Sequence, residues 1–214
     1  MTLTEPTTAP EMAGSHAAFD PRHSAEEWTF APAALQERRA AERFIGATFL
    51  RAYGARLRQF LPLIMTLRHR GRLVAACGLR YAGVESLFLE NYLDERIEVH
   101  LSAKTGKRVE RSGIVEVGNL AVVRGGYARQ LIIRLTAHLR EKDAAWAVFS
   151  AVPALRNSFL RLGVPVVPIA PAERHRLPAA QHAEWGSYYD ARPVVTAVRV
   201  IAAHAALGTE SCRR

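Results

Sequence analysis

Glu116 and Asn119 are polar residues inside an otherwise apolar run, "IVEVGNLAVV", which breaks at Arg124-Gly125-Gly126 before a stretch with helical spacing. A carboxylate enclosed by Ile114, Val115 and Val117 has its charged form penalised, which moves its pKa toward the range of a general base. The alternatives for Glu116 are exposure to solvent or an ion pair with an arginine such as Arg80. Asn119, polar but uncharged, could orient a ligand or cap a β-bulge beside Gly118. The glycines raise a further possibility. Where a strand ends in glycine and feeds a helix, the backbone can approach a ligand, the first helical N–H groups lack partners, and the helix dipole favours an anion. Arg124 and Arg129 would add charge-assisted contacts to a phosphate; the plainer alternative is a tight connection. No Gly-Lys-Ser/Thr follows, so this is not a Walker A loop, and the third glycine of a dinucleotide-binding turn is missing.

Other clusters leave more than one chemistry open. Glu90, Asp94, Glu95 and Glu98 form a dense acidic group that could hold a cationic amine, ligate a metal, or make a solvated turn paired to arginines. His175 and His182 stand seven residues apart with no third ligand nearby, and no metal site is expected. Trp185, Tyr188 and Tyr189 could wall a pocket, supply a proton, or close the core. No serine or cysteine sits in a nucleophile elbow, so no covalent intermediate is expected.

The elements that must position these residues follow from periodicity. Ala34 to Tyr53 carries an apolar stripe at Ala41, Phe44, Ile45, Phe49 and Ala52, which predicts an amphipathic helix. "PLIMTLRH" and "RLVAACGLR" flank Arg70-Gly71 as a hairpin, and "SLFLENYL" reads as a third short strand. "HLSAKTGKRVERSG" reads as a charged loop. The Glu116 strand follows, then a helix over Ala128 to Glu141, a strand at "AWAVFSAV", and a short helix that opens on Pro153 and stops at Gly163. "VPVVPIA" and "PVVTAVRVIAA" read as closing strands. The order predicts an α/β sandwich with a mixed sheet.

The 214 residues, about half of them apolar, suit one domain. Residues 1–33 are rich in Thr, Ala and Pro and read as a disordered leader; residues 34–205 form the domain, and 206–214 a flexible tail. No window reaches the roughly 18 apolar residues of a membrane span, so no integral membrane segment is expected. Cys77 and Cys212 make no disulfide framework, which points to a reducing cytoplasm. The net charge of +9 is almost entirely arginine, lysine occurring only at 104, 107 and 142, so the surface should attract anions. Nucleic acid fits that charge, but no recognition motif accompanies it.

Asn157, Phe159, Leu162 and Gly163 in "PALRNSFLRLGV" are spaced as in the closing motif of the GNAT-type N-acyltransferases, and "VRGGYA" is similar to that family's phosphate loop, with Gly126 and Ala128 at the small-residue positions. Val123 stands where the family usually has Arg or Gln, with Arg124 one place later. "LFLENYLDERIE", "IVEVGNLAV", "LRNSFLRLGV" and "WGSYYDARPVV" together resemble the thermostable hemolysin family over about Arg43 to Val200. That family's fold resembles acyl-homoserine lactone synthases. The resemblance implies a GNAT-like domain with a mixed, largely antiparallel sheet flanked by helices, acting as an acyltransferase on an acyl thioester.

The donor implied is acyl-CoA or the acyl-phosphopantetheine of an acidic acyl carrier protein, and the acceptor an amine-type small molecule reached by direct transfer. Its pantetheine would lie along Leu120, Ala121 and Val122, and its phosphate at Arg124, Gly125, Gly126, Ala128 and Arg129, with Asn157 nearby. Glu116 would act as base, Asn119 would orient the acceptor, and Tyr188 would protonate the leaving thiolate; Arg80, Glu90 and Trp185 would meet the substrate. The competing expectation is a membrane-active haemolysin, which needs an apolar amphipathic segment that is not evident.

Overall fold

The computed structural model describes residues 27–211. Seven strands form one sheet: β1 (Trp28–Pro32), β2 (Leu63–His69), β3 (Arg72–Tyr81), β4 (Ile114–Val122), β5 (Trp146–Ala151), β6 (Val167–Pro171) and β7 (Val194–Arg199). Their spatial order is β1-β2-β3-β4-β5-β7-β6, with β4 and β5 parallel and every other neighbouring pair antiparallel. This is the mixed, largely antiparallel GNAT-like sheet that the resemblance implied. Among the described residues five α-helices accompany it: α1 (Leu35–Tyr53), α2 (Ile97–Thr105), α3 (Gly126–Glu141), α4 (Pro153–Arg161) and α5 (Val200–Ser211).

Alternation along the strands sends side chains to cores on both faces of the sheet. On one face Val115, Val117, Ala147, Phe149 and Val198 pack with Leu131, Ile132 and Leu135 of α3 and Ala203 and Leu207 of α5. On the other, Ile64, Ala76 and Ala121 meet Ala41, Ile45 and Phe49 of α1, while Ile114, Trp146 and Val148 meet Ile97 and Leu101 of α2.

The structure departs from the sequence reading in four places. Residues Phe88–Tyr92 form a 3-10 turn rather than a strand, pinned by Glu90, whose Oε2 accepts the Leu87 N–H at 2.9 Å. The expected charged loop begins as α2, because Ile97 and Leu101 lie four apart and bury together, and Gly106 ends the helix at φ 66°. The last strand stops at Arg199. Val200, Ala203 and Leu207 then bury on one helical face, so α5 occupies the beginning of the expected tail. Trp28–Pro32, assigned to the leader, is an edge strand paired to β2, with Trp28 and Phe30 against the core; residues 1–26 of that leader lie outside the described residues. Among the described residues, no helix is long and apolar enough to cross a membrane.

Candidate functional site

β4 and β5 pair only from Ile114↔Trp146 to Glu116↔Val148. Beyond that point β4 remains bonded to β3 as far as Val122↔Ala75, and β5 to β7 as far as Ala151↔Val194, while the two parallel strands part. A cavity of about 460 Å3 occupies the opening, within the roughly 300–1,000 Å3 usual for small-molecule sites. It passes through the sheet. On the α3 side its wall is mostly apolar, with Ile132, Leu135, Leu139, Ala147 and Phe149 beside Thr136; on the α1 side it meets Arg80, Phe88, Glu116, Trp185 and Tyr188.

Glu116 marks the point where the ladder ends. Its side chain is 4% exposed, with Oε2 accepting the Phe88 N–H at 2.8 Å and Oε1 the Leu89 N–H at 2.9 Å. Burial drives the carboxyl pKa up to about 7, against the opposing pull of those two N–H groups and of the Arg80 charge. Burial wins because two neutral donors replace only part of the lost hydration. Arg80 stands opposite Glu116 across the β3–β4 ladder. Its Nε is buried without a hydrogen-bond partner, 3.4 Å from Glu85 Oε2 but outside hydrogen-bond geometry. Glu116 is therefore buried, and its direct hydrogen bonds go to backbone, not to Arg80.

Asn119 serves the bulge. It adopts φ 51° where the β3–β4 register shifts between Ala76 and Gly78, and its Oδ1 accepts the Leu61 N–H at 2.9 Å. This ties the segment before β2 across β4, and Asn119 also lines the cavity. Tyr188 lies at the far wall, buried, with its hydroxyl donating to the Ser150 carbonyl at 3.2 Å; burial holds its pKa well above the usual phenol range. Tyr188 sits among Phe49, Tyr53, Trp185 and Tyr189 in one aromatic cluster. The segment carrying it is fastened to α1 through the Ser187 N–H on the Tyr53 carbonyl at 2.8 Å. Cys77 is fully buried, and its thiol is pushed up to about 12, so it stays protonated and unreactive near neutrality.

Of the residues expected to form a site, Arg80, Glu116, Asn119, Leu120, Val122, Gly125, Ala128, Trp185 and Tyr188 line this cavity. Gly126, Arg129 and Asn157 do not, and Ala121 turns to the α1 core. Arg124 points to the opposite side of the loop, its guanidinium 5.2 Å from the centre of the Tyr127 ring. Glu90 also lies outside the cavity. It receives Arg111 at 2.6 and 3.0 Å and the Ile97 N–H at 3.1 Å, while Arg111 reaches Glu98 at 2.7 Å. That network holds down the 3-10 turn whose N–H groups meet Glu116. Sequence reasoning missed Phe88 and the deep apolar wall; Ile132 and Leu135 were legible as a buried helix face, but not as a cavity lining.

The profile of the family described as thermostable hemolysin matches residues 31–204. The chain belongs to the thermostable hemolysin family. Among solved structures it is similar to FeeM, an N-acyl amino acid synthase from uncultured soil microbes, at 17% identity and TM-score 0.55, covering 81% of this chain and 90% of that one. It is also similar to TofI at 17% identity and TM-score 0.57, covering 85% and 96%. A third is BjaI, a CoA-dependent acyl-homoserine lactone synthase, at 12% identity and TM-score 0.55, covering 86% and 87%. At such identities the likeness is one of fold. A search of the curated proteins found no match.

Proposed function

We propose that this protein is an acyltransferase that takes an acyl group from a thioester, on CoA or on an acyl carrier protein, and passes it directly to an amine. The observation that carries this is the parting of β4 and β5 after Glu116 and Val148 over a through-sheet cavity with an apolar depth. An open strand edge is a template for an extended amide-bearing ligand. Pantetheine, with two amides, would pair along β4 toward Val122; its phosphate would rest at Gly125, and the acyl chain would run between Ile132, Leu135 and Phe149. The fold shared with FeeM and BjaI supports the reading.

The acceptor would enter at the aromatic end. Its ammonium gives a proton to the Glu116 carboxylate, the freed amine forms a C–N bond at the thioester carbonyl, and the C–S bond breaks. The thiolate takes a proton from the Tyr188 hydroxyl, which is restored by the proton the new amide nitrogen sheds. Arg80, across the ladder from Glu116 on the cavity wall, suits an acceptor that carries a carboxylate as well as an amine. The cytoplasm would supply both donor types.

Titration with acetyl-CoA, decanoyl-CoA and decanoyl carrier protein tests the reading in the wild type and in Leu135→Trp, which fills the apolar depth. The wild type should bind decanoyl donor, and the variant should lose it by about tenfold or more while keeping acetyl-CoA, about 1.4 kcal/mol per tenfold. Absence of binding to every thioester, in a folded protein, would refute it.

A further inference from the structure

A second concavity, of about 400 Å3, opens on the other side of the Arg124-Gly125 loop. The Val123 N–H bonds the Val74 carbonyl at 3.0 Å, which sets the loop beside the start of β3. The β2–β3 turn, with Arg70 at φ 50° and Gly71 at φ 72°, brings Arg70 and Arg72 to the same spot. Arg124 is held there by its stacking on Tyr127 and by Nη2 donating to the Tyr127 hydroxyl at 3.3 Å. Glu27 is the acidic counterweight: it pairs with Arg70 and lies 3.5 Å from His69. Among the described residues neither Arg72 nor Arg124 pairs with a carboxylate.

Three guanidiniums from two chain segments stand around one concavity, two of them without a carboxylate partner among the described residues, and arginine binds a phosphomonoester through paired, charge-assisted hydrogen bonds. The place of the concavity in the fold selects the source. Val122 and Gly125 line the large cavity, while Val123 and Arg124 line the second, so the two openings flank the same short loop at the end of β4. Pantetheine attached to a carrier protein ends there in one phosphodiester to a protein surface. Coenzyme A continues into a nucleotide that bears a separate ribose 3′-phosphate. We propose that Arg70, Arg72 and Arg124 bind that 3′-phosphate, so that free acyl-CoA is the donor. The inference rests on the acyltransferase reading for the identity of the ligand, not for the existence of an anion site.

Calorimetry on the full chain separates the two. The probes are adenosine 3′,5′-bisphosphate, decanoyl-CoA, its 3′-dephospho analogue, decanoyl-phosphopantetheine and decanoyl carrier protein, each against wild type and Arg72→Gln/Arg124→Gln. Wild type should bind decanoyl-CoA about tenfold or more tighter than the dephospho form. The variant should lose that difference, and its binding of adenosine 3′,5′-bisphosphate, while holding decanoyl-phosphopantetheine as before. Equal affinity of wild type for the CoA and dephospho forms overturns the proposal, as does a variant whose only loss is the carrier protein. Binding of the bisphosphate without any thioester would instead keep the anion site and sink the acyltransferase reading.

Discussion

Glu116 offers the sharpest test, because two opposing effects on its carboxyl predict opposite dependences of stability on pH. Burial raises the pKa from 4.5 to about 7 although two backbone N–H groups favour the anion. The folded state then holds the proton more tightly than the unfolded state. The sign follows: the contribution is fully present below about pH 4.5 and is lost as pH rises through about 7. At about 1.4 kcal/mol per tenfold, the rise from 4.5 to about 7 amounts to roughly 3–4 kcal/mol, most of which falls between pH 5 and pH 8. Glu116→Gln removes the titration. It also turns an NH2 toward either Phe88 or Leu89, each of which now donates to a carboxylate oxygen, a fixed penalty of about 1–3 kcal/mol. Urea denaturation of both proteins at several pH values gives a stability difference in which that penalty is constant. The advantage of wild type should shrink by roughly 2–3 kcal/mol from pH 5 to pH 8. A flat difference would show that Glu116 does not titrate there, and a difference that grows with pH would show that the N–H groups outweigh burial; either refutes the reasoning.

Arg111→Met should cost about 3 kcal/mol in urea unfolding, since it strands Glu90 and Glu98, both largely buried around the guanidinium; adding Glu90→Gln should recover part of it, and no recovery would rule out uncompensated charge as the cause. Asn119→Ala should cost about 2–3 kcal/mol, combining an unmet Leu61 N–H with a left-handed backbone angle. Asn119→Gly should cost about 1 kcal/mol less, because glycine accepts that angle, and equal losses would exclude the strain contribution. Gly186→Ala should lower the thermal midpoint severely, by about 3 kcal/mol or more in stability, because its Cβ would overlap the Tyr53 carbonyl oxygen at the junction with α1. A midpoint within a degree or two of wild type would show that this junction is not rigid.

Much of the scaffold was legible because its signals are local. The stripe of Ala41, Ile45 and Phe49 in α1, the turn at Arg70-Gly71, and Pro153 and Gly163 bounding α4 can each be read within a few residues, and each holds in the structure. The misread segments share one cause. In α2 only Ile97 and Leu101 are fully buried among charges, so the helical period is thinly sampled. In "PVVTAVRVIAA" β-branched residues continue past Arg199, and nothing local distinguishes the last strand residue from the first helical one. Trp28–Pro32 owes its order to pairing with β2, whose residues stand more than thirty positions later. Composition could not show that.

For the site, the sequence by itself determined the chemistry on offer: a carboxylate and an amide within an apolar strand, glycines at its end, and arginines around them. Only the tertiary structure decided how these groups are used. The parting of β4 from β5, the tie from Glu116 to the N–H groups of Phe88 and Leu89, and the removal of Glu90 into the Arg111 network all join residues far apart in the chain. Arg124 turns to the second hollow because Tyr127, the second residue of α3, offers its ring there. Local periodicity assigns a side chain to a face of its element. What meets it on that face depends on long-range register and packing, which no window of sequence contains.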